Sequence, residues 1–182
     1  MNFAYETERL ILKLLEPSAA SAEQVLAFYK NNRAAFEQYE GARADDFYTL
    51  KHQQLILTNE YNLALLKKCF RFWICQKSNP NHVIGTICFY NIAYSIYDRC
   101  ETGYKLDCRH WHKGFAKEAM SLGISLMFDE LCLHRIEAYV MEENQASIRL
   151  LRSLGFQYEG ICRQAIRIQN DWKDHMLFAR IK

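Results

Sequence analysis

Residues 106–119 run Leu-Asp-Cys-Arg-His-Trp-His-Lys-Gly-Phe-Ala-Lys-Glu-Ala, and they carry the clearest chemistry in the chain. A strand ending at Leu106-Asp107 gives way to a polar turn, and a helix opens at Lys113-Gly114. The first amides of such a helix, near His112 to Lys117, have no intrahelical acceptors. The helix dipole adds partial positive charge there. Together they make an anion site suited to a diphosphate. Gly114 lacks a Cβ, so a ligand can approach the backbone and the chain can take unusual dihedrals. Arg109, His110, Lys113 and Lys117 add cationic side chains. Taken alone, a glycine between a strand and a helix reads equally well as a tight turn. Gly-x-Gly-x-x-Gly and Gly-Lys-Ser/Thr are both absent, which excludes the dinucleotide fingerprint and the P-loop.

Other residue types point to less. His110 and His112 are two apart, but no carboxylate or thiolate partner stands at ligand spacing, so no metal is expected. The seven cysteines form no Cys-x-x-Cys pair. Their odd number and even scatter argue for reduced, mostly buried small hydrophobes.

The elements that must position this segment follow from periodicity. Thr7 to Leu15 reads as a first strand with Leu10, Leu12 and Leu14 on one face. Pro17 stops it, and Ser18 or Ser21 can cap a helix to about Tyr29. A short helix at 32–39 and a longer helical stretch at 45–69 follow, the latter with apolar positions at Leu55, Leu63 and Leu66. Strands are expected at 71–76 and 83–92 around Lys77-Ser78-Asn79-Pro80-Asn81, and again at 99–106. A helix at 113–131, a strand at 135–140 and a helix at 145–154 precede two strands, 156–168 and 172–181. The reading is a mixed α/β sheet with helices on both faces.

The whole, 182 residues, is the size of one ordinary domain, taken as 1–182. Half the residues are hydrophobic and 14% aromatic, which argues against disorder. A net charge of +2 gives no argument for nucleic acid or an anionic membrane. No apolar run approaches the ~18 residues of a membrane span. Residues 1–6 carry acid early and no apolar signal core, so a cytoplasmic protein is expected.

The chain resembles the GNAT acetyltransferases, and within them the RimJ/RimL-like branch that acetylates protein amino termini. Residues 111–119 resemble the branch's acetyl-CoA loop. Glu101-Thr102-Gly103-Tyr104-Lys105-Leu106-Asp107 resembles the strand before it. Asn144 to Phe156, reading Asn-Gln-Ala-Ser-Ile-Arg-Leu-Leu-Arg-Ser-Leu-Gly-Phe, resembles the second family motif. Thr7 to Leu12 is similar to the usual first strand, and Asp174 to Arg180 to the last. These matches lie in order over nearly the whole chain.

The resemblance implies a mixed, mostly antiparallel sheet of about seven strands, splayed between the fourth and fifth. Acetyl-CoA would be the co-substrate, with no metal. The backbone of Tyr104, Lys105 and Leu106 would bind pantetheine. His112, Lys113, Gly114, Phe115, Ala116 and Lys117 would cradle the pyrophosphate. Asn144 would hold the pantetheine arm and Ser147 would lie near the sulfur. The implied reaction is direct attack of an amine on the thioester, with a backbone amide near Leu106 polarising the carbonyl.

Proton transfers are harder to assign. Many family members carry a tyrosine seven residues after the asparagine; here that position is Leu151. Ser147 is the branch's alternative acid, or it bonds only within its helix. Asn144 could be a helix cap without excluding ligand contact. Glu101 could act as base through water, or be an ordinary strand carboxylate. The glutamate of RimL-type members aligns with Ile166. Glu142 and Glu143 read as charge at a helix amino terminus.

Residues 28–48 should form the acceptor wall. Phe28, Tyr29, Phe36, Tyr39, Phe47 and Tyr48 are either core or pocket. Glu37, Glu40, Asp45 and Asp46 are either a cationic-amine mouth or a solvated face. The expected acceptor is a protein amino-terminal α-amine. The alternatives are a small amine (polyamine, amino sugar or amino acid) or a non-catalytic acyl-CoA-binding role. A monomer or homodimer is expected.

Overall fold

The computed structural model describes residues 2–182. Leu10 and Leu12 are buried on one face of a short strand, as their alternation predicts. The segment expected as one strand, however, is two: β1 (Ala4–Glu6) and β2 (Leu10–Lys13) pair as a hairpin. Thr7 makes the turn. Its amide donates to the Leu10 carbonyl at 3.0 Å, and the Leu10 amide donates to Thr7 Oγ1 at 2.9 Å. This hairpin is why the sheet has eight strands among the described residues rather than seven.

Ser18 caps α1 (Ala19–Asn31), its side chain accepting from the Ser21 amide, and α2 (Arg33–Glu37) follows directly. The stretch expected as one helix at 45–69 breaks at Thr49. That residue is extended, ends a 3-10 turn at Asp45–Tyr48 and caps α3 (Leu50–Leu65). The inward face of α3 carries Gln53, Leu57 and Ala64, whereas Leu55 and Leu66 are 67% and 64% exposed. Leu63 is half-buried, so of the three expected apolar positions only that one turns inward.

β3 (Phe70–Gln76) and β4 (Asn79–Ala93) turn at Lys77–Ser78, earlier than the Asn-Pro-Asn signal suggested. Residues 80–82 bulge out between the pairs Gln76–Asn79 and Cys75–Val83, so Pro80 needs no ladder donor. β5 (Arg99–Leu106), α4 (Phe115–Asp129), β6 (Arg135–Val140), α5 (Gln145–Ser153), β7 (Gln157–Ile168) and β8 (Asp171–Ile181) lie close to their expected bounds. The strand order is β1-β2-β3-β4-β5-β6-β8-β7, antiparallel except for the parallel β5–β6 pair.

Helices cover both faces. Phe72, Ile74, Ile87 and Phe89 pack with Ala119, Met120 and Met127 of α4 on one side. Val25, Phe28, Leu57 and Trp73 form a second cluster under α1 and α3. Cys75, Cys88 and Cys100 are buried, Cys69 and Cys162 half-buried, and Cys108 and Cys132 exposed, so the expectation of mostly buried cysteines holds for only part of the set. Among the described residues no helix is long and apolar enough to cross a membrane.

One irregularity matters for function. β5 and β6 pair only at Arg99–Arg135, Cys100–Ile136 and Glu101–Glu137. Beyond that point β5 stays paired with β4 down to Leu106, and β6 with β8 down to Val140. The two strands thus part, at the boundary the family resemblance implied. Their joined end is fixed by the Asp98 carbonyl, which accepts from the amides of His134 at 2.6 Å and Arg135 at 3.2 Å. Buried Glu137 also bridges Arg99 and Arg135 at 3.3 and 2.7 Å.

α4 reaches the parting point because Gly123 lets it lie against β4. A Cβ there would stand 2.6 Å from Ile87 Cδ1 and 2.7 Å from Phe89 Cε2. Gly123→Ala is therefore expected to destabilise the protein by about 1–3 kcal/mol through overpacking, despite alanine's better helix propensity. A urea midpoint at or above that of the parent would show that the contact yields freely.

Candidate active site

The parted strands open a cavity of about 880 Å³. Thr102 to Leu106 of β5 form one wall and Ala138 to Val140 of β6 the other. The first turns of α4 and α5 close its ends, and α2 with the residues after it stands at its mouth. The backbone groups of 102–106 that point away from β4 have no strand partner.

The α4 end is an open cluster of amides. Gly114 has φ +80° and begins the helix, and the first helical bond runs from the Glu118 amide to the Gly114 carbonyl at 3.0 Å. The amides of Phe115, Ala116 and Lys117 therefore lie ahead of the intrahelical ladder. His112 is also left-handed, at φ +57°, a conformation uncommon outside glycine that gathers successive amides into an anion-binding concavity.

Local and long-range contacts together hold this loop. Trp111 Nε1 donates to the Leu106 carbonyl at 2.8 Å. Asp107 accepts from the Arg109 amide, Nε and Nη2 at 2.9, 3.0 and 2.6 Å. That guanidinium holds the buried Asp107 carboxyl well below the usual carboxylate range. Buried Asn32, at the end of α1, accepts from the Cys108 amide at 3.1 Å. Arg9 donates to the Lys113 carbonyl at 3.0 Å and to Glu118 Oε2 at 2.7 Å, and its guanidinium lies 4.6 Å from the Phe115 ring centroid. Burial raises the Glu118 carboxyl, but hydrogen bonds from Thr7 and Arg9 outweigh it and leave it lowered. From sequence, neither Arg9 nor Asn32 was given a role at this loop.

The basic residues divide. Arg109 is committed to Asp107, and Lys113 Nζ donates to the Arg109 carbonyl at 2.9 Å, so Lys113 does not line the cavity. His110, His112 and Lys117 do. Burial lowers the His110 ring's pKa, favouring the neutral form. Among the described residues no group of three metal-ligating side chains exists, His110 and His112 included.

At the α5 end, Asn144 Oδ1 accepts from the Ser147 amide at 3.1 Å, and Ser147 Oγ lies 2.7 Å from the Tyr104 hydroxyl. All four residues 104, 106, 144 and 147 line the cavity, as do Lys105, Gly114, Phe115 and Ala116. Leu151 lies fully buried at its floor. Glu101 is not on the wall: it accepts from Asn91 Nδ2 at 3.0 Å, one step toward the joined end. Glu143 stands at the edge and Ile166 is elsewhere on β7.

Of the aromatic residues at 28–48, Phe28 and Tyr29 are core, Phe47 and Tyr48 pack against it, and Phe36 and Tyr39 reach the cavity. Among the acidic residues there, Glu40 alone lines it, and it is paired with Arg43 and with Lys105 at 2.7 Å. Arg71 adds a guanidinium to the wall, its Nε donating to Glu60 Oε1 at 2.5 Å. His175 of β8 is a site residue that sequence reasoning missed. It is 4% exposed and lines the cavity. Its Nδ1 lies 3.1 Å from the Lys173 carbonyl. A carbonyl only accepts, so Nδ1 carries a hydrogen toward Lys173 and Nε2 is the ring nitrogen left for other partners.

Comparison with known proteins agrees with this geometry. Residues 9–157 match the family model for an acetyltransferase (GNAT) domain. The chain is 40% identical over 159 residues to the probable N-acetyltransferase YjcK of Bacillus subtilis (strain 168), covering 87% of each. It is similar to the solved ribosomal-protein-S5-alanine acetyltransferase from Vibrio fischeri, with 27% identity, a TM-score of 0.91, and coverage of 99% of this chain and 97% of that one. Mycobacterium smegmatis RimJ in complex with CoA-disulfide shares the fold, with 22% identity, a TM-score of 0.85, and coverage of 94% and 81%.

The depressed Asp107 carboxyl has a stability consequence. Its contribution is full above the ordinary carboxylate pKa of ~3.9 and is lost as pH falls through the lower folded value. Asp107→Asn should therefore unfold at lower urea than the parent at pH 7, and the gap should narrow below about pH 4. A gap that persists unchanged into acid would contradict the assignment.

Proposed function

Because the chain belongs to the GNAT acetyltransferase family and is an N-acetyltransferase, we propose that its cavity takes acetyl-CoA between β5 and β6 and a protein amino-terminal α-amine from the α2 side. The unpaired half of β5 carries the donor side of this reading. A pantetheine arm bears amides and can pair with the free backbone edge at Tyr104, Lys105 and Leu106, much as an added strand does. The open amides around His112 to Lys117 suit a pyrophosphate. Asn144 and Ser147 stand where the arm and the sulfur would lie. The relative solved with CoA-disulfide supports the same donor.

Charge supports the acceptor assignment. Glu37 is paired with Arg33 at 2.9 Å, Glu40 with Lys105 at 2.7 Å, and Asp46 lies 3.3 Å from His52 Nδ1. The only one of these on the wall, Glu40, is balanced by two cations. Such a wall does not favour a polyamine over the single charge of an α-amine. The Vibrio fischeri relative, named for a ribosomal-protein alanine, points the same way.

In the reaction, a neutral amine attacks the acetyl carbon and no bond to the enzyme forms. A backbone amide near Leu106 polarises the carbonyl, and Ser147 serves the leaving sulfur. Glu101, reached through a water, is assigned the amine's proton. His175 is the rival, since unlike Glu101 it stands on the cavity wall itself.

Free-thiol release from acetyl-CoA against amino-terminal peptides and small amines tests the function, with Gly114→Glu as a variant expected to lose coenzyme binding. Release with peptides and not with polyamines or amino sugars is expected; the reverse would remove the amino-terminal reading. For the base, Glu101→Gln should lower turnover by roughly a hundredfold while coenzyme affinity is kept. If His175→Gln does so and Glu101→Gln does not, the proton goes to the histidine.

A further inference from the structure

Two hydroxyls meet on the α5 side of the cavity. Tyr104 projects from the unpaired half of β5, and its phenol oxygen lies 2.7 Å from Ser147 Oγ. The Ser147 carbonyl is the phenol's other neighbour, at 3.4 Å. Each hydroxyl has one proton to give. At 2.7 Å one of them donates to the other, and the carbonyl at 3.4 Å, beyond the ordinary O–H···O range, is the weaker acceptor for the phenol. A phenol is a stronger acid than an alkyl alcohol, so the better arrangement has Tyr104 donating and Ser147 accepting.

That choice frees the serine proton. The serine itself is held still, because Asn144 Oδ1 accepts from its amide at 3.1 Å and fixes the first turn of α5. One turn further along, Leu151 is fully buried and has nothing to donate. Ser147 and Tyr104 thus supply hydroxyls on the face of α5 where Leu151 supplies none.

We propose that Tyr104 is a positioning residue: by donating to Ser147 Oγ it turns the serine hydroxyl outward to hydrogen-bond the coenzyme sulfur and stabilise the thiolate as the C–S bond breaks. This rests on the acetyl-CoA reading of the cavity. The balance is simple. The amine nitrogen bonds the acetyl carbon, and its proton goes to the base. The C–S electron pair goes to sulfur, which leaves as thiolate and takes a proton from solvent on release. The hydroxyl couple keeps both its protons. Burial pushes the Tyr104 phenol up to about 12, and Ser147 opposes in part only because its hydroxyl would turn to donate to a phenolate. Against a thiol near 8.5, full transfer to sulfur would be uphill by more than about a thousandfold. The couple therefore acts as a hydrogen-bond donor at every working pH.

The titration that tests it needs no acceptor. Coenzyme A itself is the probe, and the thiolate absorbance of the bound coenzyme is titrated against pH. The same enzyme with desulfo-coenzyme A serves as the blank for the protein's own thiols. The bound thiol should titrate about one unit below the free coenzyme, the worth of one hydrogen bond to a charged group. Ser147→Ala should restore the free value, Tyr104→Phe most of it, and the double variant should match Ser147→Ala, since the two act as one unit. Tyr104→Phe should also lower kcat about tenfold with the affinity for coenzyme A unchanged.

A bound thiol at the free value in the parent protein would overturn the proposal, whether or not the variants fold. So would an unshifted Tyr104→Phe, or effects that add in the double variant. Failure of the parent protein to bind coenzyme A at all would instead remove the acetyl-CoA reading beneath it.

Discussion

β5 and β6 share three residue pairs and then separate, although each remains an interior strand of the same sheet. Backbone donors and acceptors on the inner edges of 102–106 and 138–140 lose the partners that a continued ladder would give, a cost of about 1–3 kcal/mol for each group left unmet. The separation persists because both strands are committed on their outer sides. β4 holds β5 down to Leu106 and then takes the Asp107 amide on the Ile84 carbonyl at 2.8 Å. β8 holds β6 down to Val140. The joined end is riveted by the Asp98 carbonyl and the buried Glu137 bridge, so the angle between the strands has little freedom to close.

Everything at the cavity is arranged about that angle. α4 and α5 both bring their amino ends to it, one begun by left-handed Gly114 and the other capped by Asn144. Their positions depend on packing far from the cavity. Gly123 sets the depth of α4, and Arg9, 104 residues from Lys113 in sequence, ties the first hairpin to the loop and the helix at once. Asn32 does the same from α1. The loop therefore draws its rigidity from three separate elements, as a preorganised binding loop requires.

Much of this was legible in the sequence, and the exceptions have a common cause. The strands at 99–106 and 135–140 and the helices between and after them fall at their expected bounds because strong periodicity and a glycine mark them. Gly114 was readable because only a residue without a Cβ suits that turn. The split at Thr7 was not, since the turn is made by a side-chain hydroxyl rather than by glycine or proline. The face of α3 was misread because Leu55 and Leu66 are leucines on the solvent side, whereas a glutamine, Gln53, is fully buried and donates to the Phe47 carbonyl at 2.5 Å. Arg9 and His175 lie in segments read only as strands, and Asn32 and the Tyr104 hydroxyl were given no role, because each acts across the fold rather than through a local pattern.

The charges show the same division between type and role. Sequence placed four basic side chains about the anion loop, but Arg109 neutralises Asp107 and Lys113 folds back on the loop's own backbone. What faces an anion is then chiefly a set of amides, with Lys117 beside them. Amides fixed by a helix are not displaced by salt as a long mobile side chain is, and they favour a ligand by geometry as much as by sign. At the acceptor side Glu40 is balanced in turn by Lys105 and Arg43. At both ends of the cavity some of the charge is thus met by internal pairs. In a protein with a net charge of only +2, the character of this cavity lies in where its hydrogen-bonding groups point, and those directions are set by the two strands that part.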